Sequence, residues 1–308
     1  MDNYLALLIG LACAGVGGEL FVRGTVGLAK AARISPGIIA ATVAAFATSS
    51  PELTVAISSA LNGTPEISLG DVLGSNVVNV ALILAAVLLM GPIHAPRSGI
   101  RRDFPVAALV PVILGALLLD GQLSRLDGML LLAGFLAWLV AVLYEVRAQR
   151  SATAQVLGEG RPTRAVVEGA IGLALLIAAG KLIVYGATGI AKTYGLSEFM
   201  IGATIVAVGT SVPELATAII SRVRGHDEVG LGTILGSNIF NGLFIVSVAS
   251  TITPINVPFS LAAPALILGF AAVVLTYPPR SGTIHRWRGG ILLAVYATYL
   301  FAVFQMQQ

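Results

Sequence analysis

The sequence predicts an all-α membrane protein of ten transmembrane helices, built as two inverted five-helix repeats with helices 2, 3, 7 and 8 interrupted. Three observations carry that expectation: the hydropathy, the placement of the basic residues, and an internal repeat. The 308 residues are 56% hydrophobic and 11% charged, with a mean hydropathy of +0.92. A soluble domain carries about 25% charged residues, and a soluble chain this apolar has too little polar surface to cover itself. Lipid is the expected solvent. The net charge of +3 is small, and the basic residues have an explanation other than nucleic acid. Cys13 is the single cysteine, which excludes a disulfide framework and a cysteine zinc site. The opening "MDNYLALLIG" lacks the basic n-region of a signal peptide, so the first apolar run is expected to be retained as a helix.

A spanning helix needs about 20 mainly apolar residues. Such runs lie near 4–29, 36–61, 69–91, 104–120, 126–146, 164–191, 199–221, 230–252, 258–277 and 287–305. The longest connection, 147–163, is a short linker between a first repeat, 1–146, and a second, 164–308. Odd-numbered loops hold fourteen Lys and Arg residues, whereas even-numbered loops hold only Arg125 and Lys192. Lys and Arg concentrate in cytoplasmic loops. Both termini are therefore expected on the non-cytoplasmic side of a cell (inner, cytoplasmic) membrane.

An offset of 162 residues aligns the halves: Glu52 falls on Glu214, Pro51 on Pro213, Ser75 on Ser237 and Asn79 on Asn241. From Ile39 to Asn79 no gap is needed, and 21 of 41 positions are identical. An odd number of spans per half makes the second half start from the opposite side, so the repeat is inverted. Inverted repeats with interrupted helices are a pattern of secondary transporters.

The repeated segments "ATSSPE" (47–52) and "GTSVPE" (209–214) place a proline and an acid inside apolar spans. Pro51 has no N–H, so the carbonyl of Ala47 loses its helical partner, and Thr48 beside it is expected to loosen too. Ser50, before the proline, is pushed away from helical geometry. Pro213 repeats this at Gly209 and Thr210. An ionised carboxylate near the bilayer centre costs about 2.5–3.5 kcal/mol on the lenient insertion scale. Glu52 and Glu214 also repel each other, and a bound cation offsets both effects. Protonation, or pairing with Lys181 or Arg23, is the structural alternative. The segments "LGSNVVN" and "LGSNIFN" put Ser75 with Asn79, and Ser237 with Asn241, on one helix face. Asn76 and Asn238 point elsewhere and are expected to bond backbone or the opposite half. All candidate ligands are oxygens, the donor set of a hard cation such as calcium; His94, His226 and His285 fall in loops.

At these residues the sequence resembles the sodium/calcium exchanger family of the calcium/cation antiporter superfamily, in a prokaryotic form without a regulatory loop. That family carries a "GTSxPE" motif and a "GSN" motif in each half. The resemblance implies an ion site of Ala45, Thr48, Ser49, Glu52, Ser75, Asn79, Ala207, Thr210, Ser211, Glu214, Ser237 and Asn241. It implies calcium at both glutamates and both threonine carbonyls, with sodium competing around it. It also implies alternating access by sliding of spans one and six. Two positions depart from the family pattern. Ala47 replaces the glycine that opens the motif. Asn241 stands where many relatives have aspartate, which leaves the choice between sodium and proton coupling open. Potassium-coupled relatives carry acids at the positions of Asn79 and Asn241, so no potassium requirement is expected.

The expected function is an antiporter exchanging Na+ for Ca2+. A Ca2+/H+ antiporter is the alternative, and a cation channel is disfavoured by the enclosed, duplicated site. No enzyme is expected: the spans hold no histidine, HExxH or serine–histidine arrangement. Neither a cofactor, a nucleic acid nor an obligate protein partner is called for. Glu19 and Arg23 are spaced for a helical ion pair, and a pair between Glu19 and Lys181, its position-mate in span six, would join the sliding helices. Glu66, Asp71, Asp227 and Glu228 are expected in loops, solvated.

Overall fold

A computed structural model describes residues 2–63, 65–97, 99–153, 162–193 and 207–305. The chain is helical almost throughout. Helix α1 is Asn3–Ala32. Helices α2 (Pro36–Thr48) and α3 (Ser50–Leu61) form one path bent by 44° at Ser49. Helix α4 is Glu66–Met90, α5 is Phe104–Leu117, α6 is Arg125–Thr153 and α7 is Pro162–Thr193. Helices α8 (Ala207–Thr210) and α9 (Val212–Val223) meet at Ser211. Helix α10 is Asp227–Ile252, α11 is Phe259–Thr276 and α12 is Trp287–Gln305. Among the described residues seven helices are long and apolar enough to cross a membrane, or eight if the bent α2–α3 pair is one span. Helix α5 has 14 residues and is extended at its start by a π-helical turn, Gly99–Asp103. The start of the seventh predicted span, 199–206, lies outside the described residues, as does 154–161 of the linker.

Burial ranks the helices. The apolar stretch of α10 is 94% inside the protein and that of α4 is 78%, against 22% for α7 and 17% for α12. Helices α4 and α10 are therefore the centre, and the outer helices turn apolar residues such as Leu8, Leu11, Leu109 and Val112 outward. An apolar exterior is what a lipid solvent selects. Helix α1 lies along α7, its position-mate in the repeat. Gly24 faces Gly169, and a Cβ on Gly172 would sit 2.4 Å from the Phe21 amide nitrogen. Backbones this close need glycine, the usual device of helix association in lipid. Arg102 holds Asp103 and Glu145 at 2.7 and 2.8 Å, while Trp138 Nε1 donates to Asp103 at 3.1 Å, pinning α5 to α6.

Two short antiparallel ladders join the connections. β1 (Ile93–His94) pairs with β4 (Thr283–Ile284), and β2 (Gln122–Leu123) pairs with β3 (Ile255–Asn256). The 162-residue offset carries Ile93 onto Ile255 and Gln122 onto Ile284, so it exchanges one ladder for the other. The interruptions take two forms. Helices α2 and α8 each stop at a serine, Ser49 (φ −84°, ψ 10°) and Ser211 (φ −85°, ψ 8°). Helices α4 and α10 do not break; they widen into π-helical turns over Val78–Leu84 and Phe240–Ile245.

Candidate functional site

The two bends put Glu52 in the first turn of α3 and Glu214 in the first turn of α9. A helix N-terminus presents free N–H groups and a positive dipole end, which favour a carboxylate there. Both glutamates are 1% exposed. The proline bends, one residue earlier than expected, fall at Ser49 and Ser211 because Ser50 and Val212 already begin the next helix. The Ala47 carbonyl freed by Pro51 is taken by its neighbour: Ser50 Oγ donates to it at 2.7 Å. The second repeat has Val212 in place of Ser50 and lacks that side-chain cap.

The structure brings the sequence-predicted polar residues together in part by direct contact. Ser237 Oγ donates to Glu214 Oε1 at 3.0 Å, Ser49 Oγ donates to the same oxygen at 3.5 Å, and Thr48 Oγ1 lies 3.4 Å from Ser237 Oγ. Residues of α2, its joint, α9 and α10 thus meet at one carboxylate. The mates of the two serines, Ser211 and Ser75, make no such bond. Ser75 Oγ, Ser211 Oγ and Glu52 Oε2 are shielded from solvent and have no hydrogen-bond partner among the described residues, nor has Glu214 Oε2. Unpartnered buried oxygens are costly and call for an explanation. Ala45 and Ala207 are buried at the starts of the short segments that end in Thr48 and Thr210, and Thr210 is half-buried.

The four asparagines of the "GSN" segments form a ring across the two halves. Asn76 Nδ2 donates to the Asn238 carbonyl at 3.3 Å, and Asn238 Nδ2 donates to the Asn76 carbonyl at 3.1 Å. Asn79 Nδ2 donates to Asn238 Oδ1 at 3.0 Å, and Asn241 Nδ2 donates to Asn76 Oδ1 at 3.1 Å. Every bond has its counterpart at the 162-residue offset. The ring uses the NH2 groups of Asn79 and Asn241 and leaves their Oδ1 atoms buried and without partners among the described residues. Asn76 and Asn238 bond the opposite half, as expected, and also orient the amides of the two candidate ligands.

Other sequence expectations are corrected. Asp71 is not in a loop: it lies in α4, Thr210 Oγ1 donates to its Oδ1 at 3.5 Å, and its Oδ2 is buried without a partner among the described residues. Glu66, Asp227 and Glu228 open helices rather than lying in loops, and Asp227 pairs with Arg222 at 2.7 Å. Glu19 bonds Arg23 at 2.5 Å as its spacing predicts, but its partner beyond α1 is Arg224 at 2.7 Å, just past α9, rather than Lys181. Lys181 instead lines a cavity of about 740 Å³ with Asn3, Ser50, Pro51, Thr54, Thr210 and Pro213. Among the described residues no three His, Cys, Asp or Glu side chains gather into one cluster. The buried oxygens left without partners among the described residues include those of both glutamates, of Ser75 and Ser211, and of Asn79 and Asn241.

The family model described as "Sodium/calcium exchanger protein" matches residues 3–144 and 165–305. The inner membrane protein YrbG of Escherichia coli is 34% identical over 258 residues, covering 80% of this chain and 79% of that protein. The sodium/calcium exchanger MaX1 of Methanosarcina acetivorans is 25% identical, covering 98% of each chain. A solved structure of the sodium-calcium exchanger NCX_Mj, soaked with 100 mM Na+ and 10 mM Sr2+, superposes with a TM-score of 0.82 at 27% identity, covering 96% of each chain. Matched along both halves by the family model, and alike in fold from end to end, this chain belongs to the sodium/calcium exchanger protein family.

Proposed function

We propose that the chain is a secondary antiporter that exchanges Na+ for Ca2+ by alternating access. Its ions bind between the two halves, at Glu52, Glu214, Thr48, Thr210, Ser49, Ser211, Ala45, Ala207, Ser75, Ser237, Asn79 and Asn241. The observation that carries the reading is the pair of buried glutamates, each with an oxygen unpartnered among the described residues and each at the start of a helix set off from the one before at a serine two residues ahead of a proline. Two carboxylates balance one divalent ion or admit monovalent ions in its place. Calcium takes six to eight oxygens at about 2.3–2.6 Å; bidentate glutamates supply four of them, and the carbonyls of Thr48 and Thr210 complete six. Sodium ions that share the glutamates compete with calcium, and competition for shared ligands is the basis of exchange.

Ten spans in two inverted halves fit the observed elements. The offset of 162 residues pairs α3 with α9 and the π turns of α4 and α10. Helix α7 runs antiparallel to its mate α1, because Gly24 meets Gly169 while Gly10 meets Ile183. The ladders join the third loop to the ninth and the fourth to the eighth, so loops of like number parity share a face. The E. coli relative bears the name of an inner membrane protein, which supports the same membrane here, with both termini on its non-cytoplasmic side.

The test is calcium uptake into proteoliposomes driven by an outward sodium gradient and, separately, by a pH gradient. Sodium-driven uptake is expected, and it is expected to fall to background in Glu52→Gln and in Glu214→Gln, which keep the shape of the side chain and remove its charge. Wild-type uptake by either variant overturns the site. Uptake driven by protons alone replaces the sodium assignment with Ca2+/H+ exchange.

A further inference from the structure

One face of α4 carries Ser68, Asp71, Ser75 and Asn79, spaced by three or four residues. Each keeps a buried oxygen without a partner among the described residues: Ser68 Oγ, Asp71 Oδ2, Ser75 Oγ and Asn79 Oδ1. Ser68 and Ser75 are fully buried and Asn79 is 1% exposed. The last two belong to the ion site. Asp71 precedes Ser75 by one turn, about 6 Å along the axis. Among the described residues its one hydrogen-bonded contact runs through Thr210, and that contact is weak: Thr210 Oγ1 is 3.5 Å from Asp71 Oδ1 but 3.1 Å from the Ala207 carbonyl. A hydroxyl has one proton to donate, so the nearer carbonyl competes for it. Among the described residues, a largely shielded carboxylate is left with half of one long bond.

The other half of the molecule has no such charge. The offset carries Ser68 onto Gly230, Asp71 onto Thr233 and Ser75 onto Ser237. Thr233 is fully buried and its hydroxyl also has no partner among the described residues. The repeat-equivalent positions one turn before Ser75 and Ser237 are thus alike in fold and unequal in charge. Thr210, the residue that touches Asp71, also lines the 740 Å³ cavity that reaches Asn3 at the start of α1. Thr210 thus joins the wall of that cavity to Asp71, and among the described residues Asp71 does not form a three-residue cluster with the two glutamates.

We propose that Asp71 and Thr210 form a separate cation-binding step on the Asn3 side of the glutamates, which the opposite route lacks because Thr233 occupies the equivalent place. The ligand class is the transported hard cation, held by carboxylate and hydroxyl oxygens. The step captures the ion before it reaches the glutamates and gives the transporter a lower apparent KM for calcium on the Asn3 side than on the other. The proposal rests on the antiport reading above.

The experiment compares sodium-gradient-driven calcium uptake in right-side-out and inside-out vesicles from cells expressing the chain, with calcium itself as the varied probe. Asp71→Asn and Asp71→Thr are expected to raise the apparent KM for calcium about tenfold when calcium is presented on the Asn3 side, the scale of removing one charge-assisted interaction with the ion. The opposite side is expected to change less than twofold. Thr233→Asp, which adds an acid where the wild-type chain has none, is expected to lower the KM on the opposite side only, and it keeps the test open if an Asp71 variant does not fold. Equal changes on both sides, or none on either, overturn the proposal. Wild-type uptake by Glu52→Gln in the same vesicles removes the antiport reading itself. With Glu52→Gln inactive, the outcome bears on Asp71 alone.

Discussion

At the scale of the residue, Asn241 is held in a ring of neutral amides. Its Nδ2 donates to Asn76 Oδ1 at 3.1 Å, a bond that aspartate cannot make when ionised because two acceptors would face each other. Asn241→Asp is therefore expected to destabilise the protein by roughly 1–3 kcal/mol, the cost of an unsatisfied buried pair. Thermal unfolding in detergent checks it. The deficit is expected to shrink as pH falls, since the introduced carboxyl, once protonated, regains a hydrogen to donate; a deficit that does not vary with pH contradicts the ring as the cause. The two glutamates, the two prolines and the flanking hydroxyls were legible in the sequence because duplication at a fixed offset marks them twice. Asp71 was not. Its repeat mate is a threonine, so the offset gave no signal, and an acid five residues after Glu66 resembles the solvated end of a helix. Neither spacing nor hydropathy shows that Ser50 caps the Ala47 carbonyl, because that bond depends on a side-chain rotamer.

At the scale of the element, α1 and α7 pack backbone against backbone. Gly172 faces the Phe21 amide nitrogen and the Gly17 carbonyl, and a Cβ there would lie 2.4 and 2.8 Å from them. Backbone atoms cannot swing aside as a side chain can, so Gly172→Val is expected to cost at least the roughly 1–3 kcal/mol typical of overpacking and to abolish uptake. The melting temperature in detergent measures the first effect and vesicle transport the second. Gly15→Ala on α1, where an added Cβ meets nothing within 4 Å, serves as the control and is expected to leave the melting temperature unchanged. An equal fall in both variants would contradict close backbone approach as the cause, since replacing glycine raises helix propensity. The helices and their order could be read from apolar runs, but two local features could not. The break at Ser49 falls before the residue that the proline rule indicates, because Ser50 enters the next helix as its first residue. The π turns of α4 and α10 leave no mark in a hydropathy profile, since a turn that widens by one residue keeps the same apolar content.

At the scale of the whole molecule, the basic residues and the repeat lead to the same topology. With Cys13→Ser as background, Asn62→Cys and Ser281→Cys place an exposed thiol in the second and the ninth loops. An impermeant maleimide is expected to label Asn62→Cys in intact cells and Ser281→Cys only once the membrane is opened. Labelling of both from one face is incompatible with ten spans in two inverted halves. The two sequence signals agree because an odd number of spans and a one-sided distribution of Lys and Arg constrain the same quantity independently. Neither signal reports the mutual placement of the halves, which depends on contacts between residues about 160 positions apart.

The two ladders carry a consequence for how the protein is made. Ile93 finds its strand partner at Ile284, and Leu123 finds its own at Ile255. The ring of asparagines is likewise made only between halves. When the chain has been synthesised as far as α6, the strands β1 and β2 and the Asn76 amide still lack the groups that will satisfy them. The last loop to leave the ribosome supplies Ile284, and with it the second ladder closes. Assembly of this chain is thus the meeting of two halves that share one polypeptide.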